Sequence, residues 1–443
     1  MSLIRSVLIS LGLGLATLEA HAAPVLMISI DGLRPADVLD AQKRGLKVPV
    51  LTDLVAHGLY ATSVRNALPT VTYPNHTTLI TGVWPQKHGI VNNLTFDPLQ
   101  TNMAGWYWYS KDIKVPTLWD AVHEAHGTSA SFSWPVSVGA SHIDYNLPEY
   151  WRAKNADDLK LISALSSPGL IDEMEALTGL GLNDAVGDSP EADDGRARFA
   201  GAVIKAKHPL FVTLHLAGLD HMEHVKGPGS PKANAVLEKL DATVGRLISQ
   251  ARQAEPDVVI AIVSDHGFAP IHHDVNLMRY FIEAGLIKLD PLSHKPSSWE
   301  ASLWGGSSVA VVLAHPHDDA LKAKVKTVLD QIVANKDLGI DHIADEAEIA
   351  ELGGAPEASF WIDFKPGYEM GQDPSLSPLS PGLVMGTHGY FPTHSEMRAT
   401  FILSGRNLPK HGALGEIDMR DIAPTLAKIM QVSLPEADGK PLF

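Results

Sequence analysis

Five short stretches of this chain carry the residue types that metal-assisted hydrolysis requires. Asp31-Gly32, Asp220-His221-Met222-Glu223-His224, Ser264-Asp265-His266-Gly267 and Gly386-Thr387-His388-Gly389 offer carboxylates and imidazoles, and Thr72 offers a hydroxyl within the segment 68–82. The chain has no cysteine, so any metal must be held by oxygen and nitrogen donors, a set that suits zinc. A threonine hydroxyl is a poor nucleophile near neutral pH until a base or a metal activates it. Taken singly, each stretch also has a plainer reading. Asp220 and His224 stand at i and i+4, on one face of a helical turn, but such pairs are usually solvated surface. Ser264 to Gly267 reads equally as a strand ending in a polar turn that Gly267 permits. Asp31-Gly32 shares that ambiguity, and a lone histidine such as His388 is more often structural. Thr72 lies two residues before Pro74, which suits the first turn of a helix. It is as well placed to cap that helix as to stand beside backbone N–H groups that receive an oxyanion. His221 and Glu223 lie between the proposed ligands and face solvent or stand behind them.

The elements that must position these residues follow from hydrophobic patterning. Continuous apolar runs at 25–30, 210–216 and 258–263 have the character of strands buried on both faces. Amphipathic helical stretches at 117–126, 194–207, 233–252 and 318–335 separate or follow them, and 421–430 reads as a capped terminal helix. Strands alternating with helices predict an α/β fold: a mainly parallel central sheet with helices on both faces. Each apolar run is followed closely by an aspartate: Asp31, Asp220 and Asp265. Ligands of open α/β sheets bind outside the carboxyl ends of the strands, so topology alone draws three carboxylates to one edge. The stretch from about 272 to 385 is less regular, with Pro/Gly/Ser-rich pieces at 291–298 and 374–382. It is expected to form a smaller lid or insertion beside the sheet.

The N-terminus has the layout of a secretory signal: Arg5, an apolar stretch from Val7 to Thr17, and a small-x-small site at Ala20-His21-Ala22. Residues 1–22 are therefore set apart from a catalytic domain at 23–443. No later stretch is long enough for a membrane span. Export without disulfides fits a bacterial periplasm. Composition is that of a globular protein, 45% hydrophobic and 19% charged. The formal net charge of −16 repels nucleic-acid polymers but does not exclude a small phosphate ester held beside cations. Nothing in the sequence specifies an oligomeric state.

In chain order these segments resemble the nucleotide pyrophosphatase/phosphodiesterase family of the alkaline phosphatase superfamily. The resemblance runs from Val25 nearly to the C-terminus. It is strongest at Asp31-Gly32, 69–93, 220–224, 264–267 and 387–390. It implies an alkaline phosphatase-like fold and a site of two zinc ions, with manganese suited to the same donors. Asp31, Thr72, Asp265 and His266 match the ligands of one ion, with Thr72 also the nucleophile. Asp220, His224 and His388 match the ligands of the other. Asn93 matches the asparagine that binds a non-bridging phosphate oxygen together with the backbone N–H of Tyr73. Tyr73 occupies the aromatic position that stacks on a substrate base. Tyr145, Tyr150 and Trp151 fall where a second stacking ring is frequent, with Tyr150 the preferred one. Two cations about 4 Å apart stabilise the attacking and leaving oxygens of an in-line displacement. The resemblance thus implies hydrolysis of a phosphodiester or pyrophosphate through a phosphothreonine that water then cleaves.

Three positions depart from the commonest family pattern: Val71 where lysine is frequent, Val136 where glycine follows the proline, and Thr387 where aspartate is common. They leave every proposed ligand in place but bear on substrate identity. A neutral Asn93, in place of an arginine clamp, favours a singly charged diester over a doubly charged monoester. Phosphonoacetate hydrolysis, lipid head-group diester cleavage and phosphomonoester hydrolysis are the alternatives on the same site. A non-catalytic periplasmic metal- or phosphate-binding protein is the remote one, since no nucleophile or ligand is missing.

Overall fold

The three apolar runs become neighbouring strands of one sheet. The computed structural model describes residues 22–102, 105–152, 155–371, 377–406, 408 and 411–443. Residues 1–21 of the expected leader, and part of the 374–382 stretch, lie outside these. The central sheet comprises β1 (Val25–Ile30), β2 (Leu59–Tyr60), β3 (Ser129–Phe132), β4 (Tyr145–Leu147), β5 (Phe211–Leu216), β6 (Val259–Val263), β7 (Phe401–Ser404) and β8 (Gly412–Ala413). Their spatial order is β8-β2-β7-β6-β1-β5-β3-β4. Strands β6, β1, β5, β3 and β4 run parallel, while β7 is antiparallel to both β6 and β2. The register Ile30↔Leu216 and Ser29↔Val263 brings the carboxyl ends of β1, β5 and β6 level. Asp31, Asp220 and Asp265 therefore leave the sheet at one edge, as the alternation of elements predicts.

The helices that cover the sheet are α1 (Thr72–Thr81), α2 (Pro190–Lys207), α3 (Gly218–Lys226), α4 (Pro231–Ala254) and α5 (Ile422–Met430), with shorter ones between. Side chains alternate across a strand, so the unbroken run of β1 feeds two cores. Leu26, Ile28 and Ile30 pack with Phe199, Val236 and Leu240 of α2 and α4. Val25 and Met27 pack with Leu79, Ile80, Ile422 and Leu426 of α1 and α5. Truncating one of these, Ile28→Ala for example, costs about 2–5 kcal/mol.

α1 is buried along its whole length although its sequence is largely polar. Burial of polar groups is tolerable only when each is hydrogen-bonded, and this helix satisfies most of its own. Thr77 Oγ1 donates to the Tyr73 carbonyl at 2.8 Å and Thr81 Oγ1 to the Thr77 carbonyl at 2.7 Å. Asn75 Nδ2 donates to the Val71 carbonyl at 2.8 Å. Asn75 Oδ1 accepts the Ala67 N–H at 2.7 Å and His76 Nε2 meets Ser29 Oγ of β1 at 2.8 Å, which anchor the helix at the sheet edge with its first residue, Thr72, at the site.

The 272–385 region is more regular than its composition suggests. Strands Ala301–Gly305, Ser308–Leu313, Ala358–Phe364 and Ile340–Asp345 form an antiparallel sheet in that spatial order. Helices Leu277–Glu283 and Asp319–Ala334 pack on it around Val309, Val311, Phe281, Val325 and Ile332. Alternation over short strands separated by turns is a weak sequence signal, and only cross-strand pairing resolves it. The chain returns through Gly386–Thr387, paired with Ala269 and Pro270, and so delivers His388. Among the described residues no helix is long and apolar enough to cross a membrane.

Candidate active site

The seven ligand positions named from sequence converge in two groups. In the first, His266 Nε2 lies 3.3 Å from Asp31 Oδ1, 3.0 Å from Asp265 Oδ2 and 3.3 Å from Thr72 Oγ1. In the second, Asp220 Oδ1 is 3.5 Å from His224 Nε2 and 3.5 Å from His388 Nε2. The rings of His266 and His388 stack with centroids 3.5 Å apart and join the groups. The first group is sealed, with Asp265 and His266 fully buried. The second opens towards solvent, with the side chains of Asp220 and His224 18% and 31% exposed.

Each local conformation has a cause. Asp220 and His224 occupy one face of α3, so the i, i+4 spacing is helical and not a loop. Thr72 is the first residue of α1, preceded by Val71 at the cap position with no side-chain cap bond. Its hydroxyl turns to His266 and does not cap the helix. Gly267 is required by close approach: a Cβ there would stand 2.0 Å from the Glu396 carbonyl oxygen.

The three histidines are oriented alike, with Nδ1 on a backbone carbonyl and Nε2 towards the site. His266 Nδ1 lies 3.1 Å from the Gly267 carbonyl oxygen, His224 Nδ1 lies 2.9 Å from that of Gly386, and His388 Nδ1 lies 3.1 Å from that of Thr70. A carbonyl only accepts, so each Nδ1 carries a proton and Nε2 is the atom each ring directs at the site. Asp31 Oδ1, Asp220 Oδ1 and Asp265 Oδ2 are buried without a hydrogen-bond partner. Orphaned buried carboxylate oxygens are costly unless a cation or proton meets them. Burial, then the charges of Asp265 and Asp220, holds the Asp31 carboxyl well above its ordinary range. Burial also raises Asp220. Burial, with His266 and His224 beside it, pushes His388 well below the usual imidazole value, into its neutral form. The donor set therefore fits divalent cations, one in each group.

Two residues that sequence reasoning missed brace these ligands. His215 Nε2 is 3.0 Å from Asp31 Oδ2, and its Nδ1 is 3.1 Å from the Ser133 carbonyl. His76, one turn beyond Thr72, donates from Nδ1 to the Thr72 carbonyl at 2.9 Å, reaches Ser29 Oγ with Nε2 at 2.8 Å, and so fixes the turn that carries Thr72. A signal was present: His215 interrupts an apolar strand, and His76 follows the hydroxyl by four residues on a helix. Glu223, left ambiguous from sequence, is buried and pairs with Arg34 at 3.2 Å.

The substrate-facing residues correct part of the expectation. Asn93 does stand beside the Tyr73 N–H, but its Oδ1 accepts that N–H at 2.8 Å, which leaves Nδ2 as the remaining donor to a phosphate oxygen. The Tyr73 ring, expected to face a substrate base, is enclosed in the structure. It is 1% exposed and packed edge-on to Trp106 and Trp108 at 5.1 and 6.0 Å. Trp106 and Trp108, two residues apart on one segment, supply this cover, and its docking is a tertiary event. Tyr150 is itself largely buried, yet it lines a cavity of about 80 Å³ with Glu149, Trp151, Asp188, Arg196 and His215. Burial, with Asp188 nearby, raises Glu149 to about 8.

Comparison with known proteins identifies the family and the fold. The sequence profile described as type I phosphodiesterase/nucleotide pyrophosphatase matches residues 25–400, and the chain belongs to that family. A pyrophosphatase/phosphodiesterase of Schizosaccharomyces pombe, itself uncharacterised, is 25% identical over 401 residues, covering 86% of this chain and 71% of the yeast protein. Human ectonucleotide pyrophosphatase/phosphodiesterase family member 5 is 24% identical over 437 residues, covering 96% of this chain and 77% of the human protein. The mouse family member 1 is 28% identical over 257 residues, 56% of this chain, and the match spans only 24% of that longer protein. The solved structure of human member 5 superposes with a TM-score of 0.67 at 20% identity, covering 94% of this chain and 97% of that one. Murine member 5 gives the same TM-score in a structure described as an inactive threonine-to-alanine variant in complex with AMP. The fold is the α/β, alkaline phosphatase-like one, and the family is one of hydrolases acting on phosphodiester and pyrophosphate bonds.

Proposed function

We propose that this chain is a two-zinc hydrolase that cleaves phosphodiester or pyrophosphate bonds of nucleotides or related small diesters, with Thr72 as nucleophile. The observation that carries the reading is the convergence of three histidine Nε2 atoms, three orphaned carboxylate oxygens and the Thr72 hydroxyl, which lies 3.3 Å from His266 Nε2. Asp31, Asp265, His266 and Thr72 would hold one cation, and Asp220, His224 and His388 the other. When bound, the pair would supply positive charge to the attacking and leaving oxygens. Thr72 Oγ attacks phosphorus in line as the bond to the leaving oxygen breaks, and water then hydrolyses the phosphothreonine. Asn93 Nδ2 donates to a non-bridging oxygen whose charge grows in the transition state. The open second group is the side from which the leaving group departs and water arrives. The names of the relatives, and AMP in the murine structure, support a nucleotide substrate. The leader read at 1–22 adds export to the periplasm to this proposal.

A second reading has an observation of its own. The cavity beside the proposed ligands is lined by Glu149, Asp188, Tyr150 and Trp151, and by Arg196, whose guanidinium is taken up by Asp193. Asp188 beside the aromatic faces of Tyr150 and Trp151 attracts a cation, which suits a diester with a positively charged head group better than a polyanionic nucleotide. The deciding experiment is a parallel rate assay of the zinc-loaded protein. Its substrates are a nitrophenyl nucleotide diester, nitrophenyl phosphate, a lipid head-group diester and phosphonoacetate, with Thr72→Ala as blank. A lead for the nucleotide diester, lost in Thr72→Ala with both zinc ions still bound, is the expected result. A lead for another substrate reassigns the chemistry on the same site. Undiminished activity of Thr72→Ala removes Thr72 as nucleophile.

A further inference from the structure

One buried ion pair crosses between the two ligand groups. Asp31 of the sealed group is followed by Gly32, whose φ of +74° turns the chain, and then, two residues on, by Arg34. Glu223 sits on α3 one residue before His224 and three after Asp220, so its side chain leaves the helix near the ligand-bearing face. Arg34 Nη2 stands 3.2 Å from Glu223 Oε1, and the carboxylate is 1% exposed. Asp37 holds the same guanidinium from behind, at 2.9 Å to Nε and 2.9 Å to Nη2, and is itself shared with Arg44. A Cβ built on Gly32 would lie 3.3 Å from Glu223 Oε2 and 3.1 Å from the Phe268 ring, so loop, helix and ring are in direct contact. The Phe268 ring in turn packs on His224 and His388 at centroid distances of 4.8 and 5.3 Å.

Neither Arg34 nor Glu223 is a ligand, and the hydrolysis described above gives them no task. Burying such a pair stabilises little compared with apolar residues of the same shape. What it supplies is a fixed distance between the loop after β1 and the helix α3. We propose that the Arg34–Glu223 bridge is a positioning device that sets the separation of the Asp31-Asp265-His266 group from the Asp220-His224-His388 group. In-line displacement needs both oxygens stabilised at one spacing, and a misplacement of about 1 Å costs about 10²-fold in rate. The proposal rests on the two-cation reading of the site.

The test compares wild type, Glu223→Ala, Arg34→Met and Arg44→Met by zinc titration against a competing chelator and by kcat and KM on a diester. Glu223→Ala is expected to loosen the weaker zinc about ten- to a hundred-fold and to lower kcat far more than it raises KM. Arg34→Met reports the same break from the other side, should Glu223→Ala fail to fold. Arg44→Met, which disturbs the ion cluster without touching Glu223, keeps both zinc affinities. Bridge variants that retain both affinities and kcat, or an Arg44→Met that reproduces their losses, overturn the proposal. A wild-type protein that binds fewer than two zinc ions refutes the two-cation reading itself.

Discussion

His88 ties the fold's stability to pH through a single buried imidazole. Its ring is fully buried at the end of the Pro85–His88 turn. Nδ1 accepts the Ile90 N–H at 3.1 Å and Nε2 faces Thr78 Oγ1 at 3.1 Å. A proton added to Nδ1 would point at an N–H donor, and burial drives the group from 6.5 down to about 3. Below 6.5 the unfolded chain therefore binds a proton that the folded chain refuses. Stability is present in full above that value and is lost as pH falls towards 3. Between pH 8 and pH 5 the loss spans about 1.5 pH units below 6.5, at about 1.4 kcal/mol each, or about 2 kcal/mol. The perturbation that isolates it is His88→Gln. At pH 8 the variant should be less stable by about 1–3 kcal/mol, because an amide replaces the buried ring and must remake its bonds to the Ile90 N–H and Thr78 Oγ1 in an altered geometry. At pH 5 the two proteins should converge by about 2 kcal/mol, since only wild type carries the imidazole. Denaturant unfolding of both proteins in matched buffers at fixed zinc measures the gap, and every other titrating group cancels. A gap that stays constant from pH 8 to pH 5 would refute the argument.

Three further outcomes are expected. Asn93→Ala should lower kcat for a diester by about 10²–10³-fold, as loss of an oxyanion donor does; steady-state kinetics would show a simple binding contact instead if only KM rose. His215→Ala frees Asp31 Oδ2 and should weaken zinc binding about ten- to a hundred-fold, read by chelator competition, with unchanged affinity making His215 a packing residue only. Tyr73→Ala should cost about 3–5 kcal/mol of stability while leaving KM for a nucleotide diester near wild type, because the ring is enclosed by Trp106 and Trp108. A large rise in KM without loss of stability would restore it as a stacking residue.

Much of the molecule is determined by local pattern. The apolar runs at β1, β5 and β6 are long and unbroken, so their existence and their pairing into one parallel sheet follow from sequence. The aspartates after them are bound to meet because parallel neighbours share a carboxyl edge. The candidate oxygen and nitrogen donors follow from which residues cluster near those ends in a chain without cysteine, while the roles proposed for them, Thr72 as nucleophile included, come from the family resemblance. Tertiary structure decided what depends on contacts distant in sequence. His215 and His76 brace ligands from a strand and a helix that look apolar or polar for other reasons. Glu223 meets Arg34 only because α3 packs over the loop after β1. Tyr73 lies under two tryptophans that no local spacing brings to it. The antiparallel sheet of the 272–385 region rests on pairing between residues as far apart in sequence as Ser308 and Asp363. Side-chain chemistry is written at each position, but burial and partnership belong to pairs of positions, and only the folded chain sets those pairs.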